Sequence, residues 1–324
     1  MARIGNYKMG KLLGTGTVGT VYQVTDRTTG QQAAMKILLP QISTESTVAR
    51  RFEREMSILQ RLDHRHIVRY LTDGTNKGRL YYVMEHVDSG SLKDELIIKG
   101  RLHWIQVCRY GIQICSALQH AHNHGIIHRD LKPANLFMTE AGQLKLGDFG
   151  IARDTHKADL TDAGLTVGTY AYMAPEQIRA DQGVSDKVDL YALGCLLYEM
   201  LTGRPPFEGA NFAQIFDQHL QRDPPSVQAA VPECPAELDQ MIQRLMAKSP
   251  NLRPFNARYV QGFLQELLLS SNANEIEILP SIESQSETGS QLSNIEKVSW
   301  TTLLSLLALV GVIVGFVFLA RMMN

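Results

Sequence analysis

The chain has 324 residues, 44% of them hydrophobic and 20% charged, with a formal net charge of -1. That apolar content excludes a disordered chain, and the length suits one large domain or two lobes. A charge so near zero leaves no basic footprint, and no nucleic-acid partner is expected.

Residues 1–13 lack the apolar core of a signal peptide, and Ala2 stands where a myristoylation signal needs glycine. Residues 7–38 alternate turns with strand-like runs. Within them, Gly14-Thr15-Gly16-Thr17-Val18-Gly19-Thr20-Val21 fits Gly-x-Gly-x-x-Gly-x-Val. A dinucleotide fold would start a helix near the third glycine. Here the β-branched and aromatic run Thr20-Val21-Tyr22-Gln23-Val24 predicts a strand instead. Strand, glycine turn, strand lets backbone amides close over phosphates without side-chain obstruction. Lys36 follows on the run Ala33-Ala34-Met35-Lys36-Ile37.

Phe52, Met56, Leu59 and Leu62 recur at helical spacing, predicting a helix over 50–63 with Glu55 beside the stripe. Residues 80–87 read as a strand, and 105–124 as a long, mostly apolar helix. That helix ends in His120-Ala121-His122-Asn123-His124. His120 and His124, one turn apart, offer zinc two ligands, but no nearby carboxylate or cysteine completes a set. Cys108, Cys115, Cys195 and Cys234 show no paired spacing, which points to a reduced, cytosolic domain.

The stretch 128–150 carries Asp130, Lys132 and Asn135 on one short loop, then Asp148 before Phe149-Gly150. Acid, amine and amide followed by a second acid suit phosphoryl transfer. That reaction needs cation ligands, an orienting base for the attacking hydroxyl and positive charge on the moving group. Residues 271–298 are rich in Ser, Asn, Gln and Glu and predict a solvated, flexible linker. Residues 299–320 carry no charge. At 1.5 Å per residue they span roughly 30 Å, the thickness of a bilayer core, with Trp300 and Arg321 suited to the two interfaces. Gly311 and Gly315 form a Gly-x-x-x-Gly on that segment, a pattern that lets two membrane helices approach closely and raises a homodimer as an expectation.

His128-Arg129-Asp130-Leu131-Lys132-Pro133-Ala134-Asn135, Asp148-Phe149-Gly150, the glycine turn and the Lys36 strand together resemble eukaryotic-type (Hanks-type) Ser/Thr protein kinases, most like the bacterial members. Gly168-Thr169-Tyr170-Ala171-Tyr172-Met173-Ala174-Pro175-Glu176 and Asn251-Leu252-Arg253-Pro254 extend the resemblance over roughly residues 7–270. It implies an α+β, two-lobed fold: a small β-rich lobe over about 1–87, with a five-stranded antiparallel sheet and one major helix, and a larger helical lobe over about 88–270. The linker 271–298 and a transmembrane helix over 299–320 would follow.

The resemblance also implies roles. Leu13, Gly14, Thr15, Gly16, Thr17, Val18 and Gly19 would cover ATP, while Val21, Ala34 and Phe137 would sandwich its adenine. Met84 would guard the back of that pocket, with Glu85 and Val87 presenting backbone groups. Lys36 would hold phosphates and pair with Glu55. Asn135 and Asp148 would hold Mg²⁺, or Mn²⁺ in its place. Asp130 would take the substrate hydroxyl's proton, Lys132 would stabilise the transferring group, and Thr169 would reach both. Lys132 and Thr169 choose Ser/Thr over Tyr. Asp189 would brace the catalytic loop, Arg253 would partner Glu176, and Arg129 would bind a phosphothreonine at Thr161 or Thr166. ATP, protein substrates and a membrane would be the partners, with the kinase domain facing the cytoplasm. A pseudokinase scaffold would most simply lack Lys36, Asp130 or Asp148. A small-molecule phosphotransferase would usually lack Thr169 and the Ala-Pro-Glu segment. All of these are present.

Overall fold

The computed structural model describes residues 3–16, 19–40, 52, 56–57, 59–149, 170–181 and 183–277. In the small lobe, β1 (Arg3–Ile4), β2 (Tyr7–Thr15), β3 (Gly19–Asp26), β4 (Gln32–Leu38), β5 (Tyr70–Asn76) and β6 (Arg79–Glu85) form one antiparallel sheet in the order β1-β2-β3-β4-β6-β5. The expected five strands are there, and β1 adds a sixth at the edge. Two residues are too few to register as a hydrophobic period, so β1 leaves no trace in the sequence.

Strand alternation splits the lobe into two apolar layers. Ala34, Leu38, Tyr82 and Met84 lie on one face of the sheet with Phe52 and Met56 packed against them. Val24, Ala33, Met35 and Val83 form the other. Phe52, Met56 and Leu59 are helical, as their spacing predicts.

The large lobe contains α1 (Leu92–Lys99), α2 (Trp104–Asn123), the hairpin β7 (Leu136–Met138) and β8 (Leu144–Leu146), α3 (Pro175–Ile178), α4 (Lys187–Thr202), α5 (Phe212–Gln221), α6 (Ala236–Leu245) and α7 (Ala257–Glu277). Ser91 and Asp94 close a reciprocal capping box at the start of α1. Nearly every residue of α4 is buried. A helix apolar all round has to sit inside the lobe. Gly194 is what allows it there, since a Cβ would lie 2.8 Å from both Leu245 and Met246. All four cysteines are free thiols buried in this lobe, and burial pushes the Cys108 and Cys234 thiols up to about 12.

Helix α7 continues past residue 270, into the stretch read as linker. Leu264, Leu267 and Leu268 pack on the core, and the Ser270 and Ser271 hydroxyls donate to the carbonyls of Leu267 and Leu268. Polar side chains that satisfy themselves on the preceding turn do not end a helix anchored by its leucines. Among the described residues no helix is long and apolar enough to cross a membrane, and the segment 299–320 lies outside them.

Candidate active site

The glycine turn joins β2 to β3. Gly16 N donates to Gly19 O at 2.9 Å, and the β2–β3 register slips between Met9 and Gly14, which curls the end of the hairpin. The glycines have different reasons. A Cβ on Gly19 would collide with the Ile37 carbonyl of β4. One on Gly14 would meet nothing within 4 Å, so packing does not demand glycine there. Close approach of a ligand would.

Behind the turn, Val21 pairs with Lys36, and Ala34 with Met84. Ala34 and Met84 are buried on the sheet face that carries Lys36. The Glu85 carboxylate is taken by Lys145 Nζ at 2.9 Å and Arg69 N at 3.1 Å, so its side chain is not what a nucleotide would meet. Leu13 and Thr15 are exposed on β2, Val87 follows β6 half-buried, and Phe137 sits on β7.

Lys36 Nζ reaches across the cleft to Asp148 Oδ1 at 2.6 Å. Burial opposes charge on both groups, but each is held charged. Lys36 is raised by Tyr82 and Asp148, and Asp148 is lowered by Lys36. Asp148 has φ 52°, a left-handed backbone rare for a non-glycine residue. Phe149 anchors the turn by packing on the His128 ring at 4.8 Å.

The catalytic loop is bolted from beneath. Asp189 Oδ2 accepts from His128 N and Oδ1 from Arg129 N, both at 2.8 Å, and His122 Nε2 donates to Oδ2 at 2.7 Å. His128 Nδ1 accepts from Asp130 N at 3.3 Å, so its Nε2 carries the proton and donates to Gly147 O at 3.0 Å. Arg129 is also left-handed, with φ 64°. Above this base, Lys132 Nζ donates to Asp130 Oδ2 at 3.0 Å, and Asn135 Nδ2 to Asp130 O at 2.7 Å and Oδ2 at 3.2 Å.

The loop thus brings a carboxylate, an ammonium and an amide together, with the second carboxylate on the Lys36 side. Because Asn135 commits its nitrogen to Asp130, its oxygen is the acceptor that remains. An amide oxygen and the Asp148 carboxylate form a hard-oxygen donor set that fits Mg²⁺. At the far end, Arg253 forks onto Glu176, with Nη1 to Oε1 at 2.5 Å and Nη2 to Oε2 at 2.8 Å.

Several expected residues, Thr17, Val18, Glu55, Thr161, Thr166 and Thr169, lie outside the described ones. Arg129 Nε is buried with no partner among the described residues. The His120 and His124 rings lie tilted at 4.6 Å, and His64 stacks on His120 at 5.1 Å. Yet no group of three or more metal-binding side chains is disposed to hold an ion among the described residues. Sequence reasoning passed over His122 and Tyr82. The signal for Tyr82 was available: it lies two residues before Met84 on the same strand, hence on the same face.

Residues 7–263 match the protein kinase domain family. The chain belongs to that family. This kinase domain is 34% identical over 271 residues to the serine/threonine-protein kinase PrkC of Bacillus subtilis, covering 84% of this chain and 42% of PrkC. It is 38% identical over 253 residues to the serine/threonine-protein kinase PknJ of Mycobacterium tuberculosis, covering 76% of this chain and 43% of PknJ. The chain therefore spans about two fifths of the length of these relatives. Among solved structures, the PknI kinase domain of Mycobacterium tuberculosis, crystallised as a double mutant, superposes with a TM-score of 0.65 at 27% identity. That match covers 82% of this chain and 97% of the other. The family uses ATP and a divalent metal.

Proposed function

We propose that this chain is an ATP-dependent serine/threonine protein kinase that moves the γ-phosphoryl group of ATP to a protein hydroxyl. The observation that carries the reading is the Asp130 carboxylate held beside Lys132 and Asn135. Asp130 takes the proton as the hydroxyl oxygen bonds to the γ-phosphorus and ADP leaves. Lys132 stabilises the charge that spreads over the moving group. Lys36 leaves Asp148 for the α- and β-phosphates. Asp148 and Asn135 would hold Mg²⁺, which would neutralise phosphate charge. Incubation with labelled ATP, Mg²⁺ and mixed protein substrates tests this. Label on serine and threonine is expected. Label on tyrosine alone sinks the specificity, and no label sinks the reading as an enzyme in favour of a scaffold.

The uncharged segment 299–320 supports single-pass anchoring, with the kinase domain on the cytoplasmic side where ATP is. Full-length protein that fractionates as soluble without detergent would refute it. Arg129, whose buried Nε has no partner among the described residues, supports capture of an activation-loop phosphate at Thr161 or Thr166 placed by autophosphorylation. Active protein unmodified at both threonines in mass spectra would rule that out. Gly311 and Gly315 support a homodimer. Replacing both with Ile should lower crosslinked dimer and loop phosphate together.

A further inference from the structure

Tyr82 is a phenol where the surrounding surface is apolar. Its neighbours on that sheet face are Ala34, Leu38 and Met84, and the Phe52 ring lies 6.4 Å away. A hydroxyl placed among such residues loses water and must find partners inside. Strand register supplies them. Tyr82 is directly opposite Lys36 in the β4–β6 ladder. Directly paired residues of an antiparallel ladder put their Cβ atoms about 4.5–5.5 Å apart on one face. The two side chains therefore leave the sheet together and run side by side toward Asp148.

The ladder sets Tyr82 beside Lys36, and Tyr82 lines one small cavity together with Asp148. A protonated phenol can donate and accept at once. A hydroxyl so placed can donate to a carboxylate and accept from an ammonium. Little room exists for it to do otherwise. The cavity lined by Leu59, Tyr82, Met84, Asp148 and Phe149 holds about 20 Å³, too little for the ring to swing aside.

We propose that Tyr82 is a positioning residue for nucleotide binding: its hydroxyl is the partner that Lys36 and Asp148 share, and that each keeps when ATP separates them. This rests on the reading of the chain as a kinase. In the structure Lys36 and Asp148 satisfy each other at 2.6 Å. ATP and its cation each take one of them, and the pair must part. Separated charges in a partly buried site are left short of partners. Tyr82 removes that shortfall on both sides. While the pair is closed the hydroxyl is nearly redundant, so its effect falls on the nucleotide-loaded state.

The test is Tyr82→Phe in the full-length protein, measured in detergent, with Tyr81→Phe as the control. Tyr81 is opposite Ile37 and packs on the other sheet face, away from the cleft. Tyr82→Phe retains the ring and its packing. The dissociation constant for Mg²⁺-ATP and the KM for ATP should both rise about tenfold or more, since a single lost hydrogen bond to a charged group already accounts for tenfold. The kcat at saturating ATP should fall less than twofold. Tyr81→Phe should change neither constant. Tyr82→His, which returns a polar atom to the ring, should recover part of the ATP affinity.

Wild-type ATP affinity in Tyr82→Phe overturns the proposal. So does a fall in kcat with KM unchanged, or an equal loss in Tyr81→Phe. If Tyr82→Phe lowers the unfolding midpoint without nucleotide, and Tyr82→His restores that midpoint but not ATP affinity, the role is structural and the proposal is overturned. If the wild-type chain binds Mg²⁺-ATP but transfers no phosphate, the kinase reading fails, and the binding comparison still decides the role of Tyr82.

Discussion

Asp189 and Asp148 are both buried-side aspartates held below the ordinary carboxylate range, and both lie within the reach of the catalytic loop. Their partners differ. Asp189 accepts from two backbone amides and from His122, none of which has anywhere else to go. Asp148 is met by the end of one lysine, a flexible stem whose ammonium can turn to another acceptor. A buried charge whose partners are all fixed holds a shape. A charge whose partner is exchangeable stays available for a ligand. The same residue type therefore serves as scaffold in one place and as machinery in the other.

Removing the scaffold acid should have the largest effect. Asp189→Asn swaps an acceptor for a donor beneath two amide donors. We expect a loss of about 3–5 kcal/mol of stability, read from urea unfolding, together with all transfer activity. Asp148→Ala should divide the two aspartates cleanly. The Lys36 ammonium can turn to another acceptor once the carboxylate is gone, so unfolding should move by clearly less than for Asp189→Asn. Cation-dependent ATP binding, followed by calorimetry, should nevertheless vanish. A stability loss as large as that of Asp189→Asn would erase the distinction. Asp130→Asn should lower kcat by about 10²–10⁴-fold with the ATP dissociation constant almost unchanged, because only the base is lost.

The smallest effect is acid sensitivity of the scaffold side. Burial, helped by Lys248, lowers His219 to about 3, and burial with His120 beside it lowers His64 to about 4, both from 6.5. The unfolded chain then binds more protons than the folded one between those values. Stability from these groups is complete above pH 6.5 and is lost as pH falls toward 4 and then 3. Thermal midpoints should decline over that window, and His219→Gln should flatten the decline. A midpoint independent of pH from 6.5 to 4 would show that neither histidine is held neutral by the fold.

Much of the cleft was legible because its chemistry sits on short contiguous runs. Asp130, Lys132 and Asn135 are neighbours in sequence and in space, and Arg253 meets Glu176 as the motifs imply. Contacts between distant strands were not. Lys36 and Tyr82 are brought together only by the β4–β6 register, which no local pattern states. Likewise His122 looks like the middle of a histidine-rich helix end until α4 arrives from residues 187–202 and places Asp189 against it. Edge strand β1 and the extra turns of α7 were missed for the opposite reason. Their signals are too short or too polar, and they form because neighbouring structure holds them.

The buried thiols give the molecule an internal clock. Cys108, Cys115, Cys195 and Cys234 belong to the large lobe, and residues 1–87 contain no cysteine. Burial suppresses the thiolates, so an alkylating reagent finds almost nothing to attack while the large lobe stays closed. Modification therefore counts openings of the large lobe alone and ignores fluctuation of the sheet above the cleft. The natural sequence thus permits one lobe's breathing to be timed separately from the other's, and a cysteine placed on the small lobe would be selectively labelled without first removing the native ones.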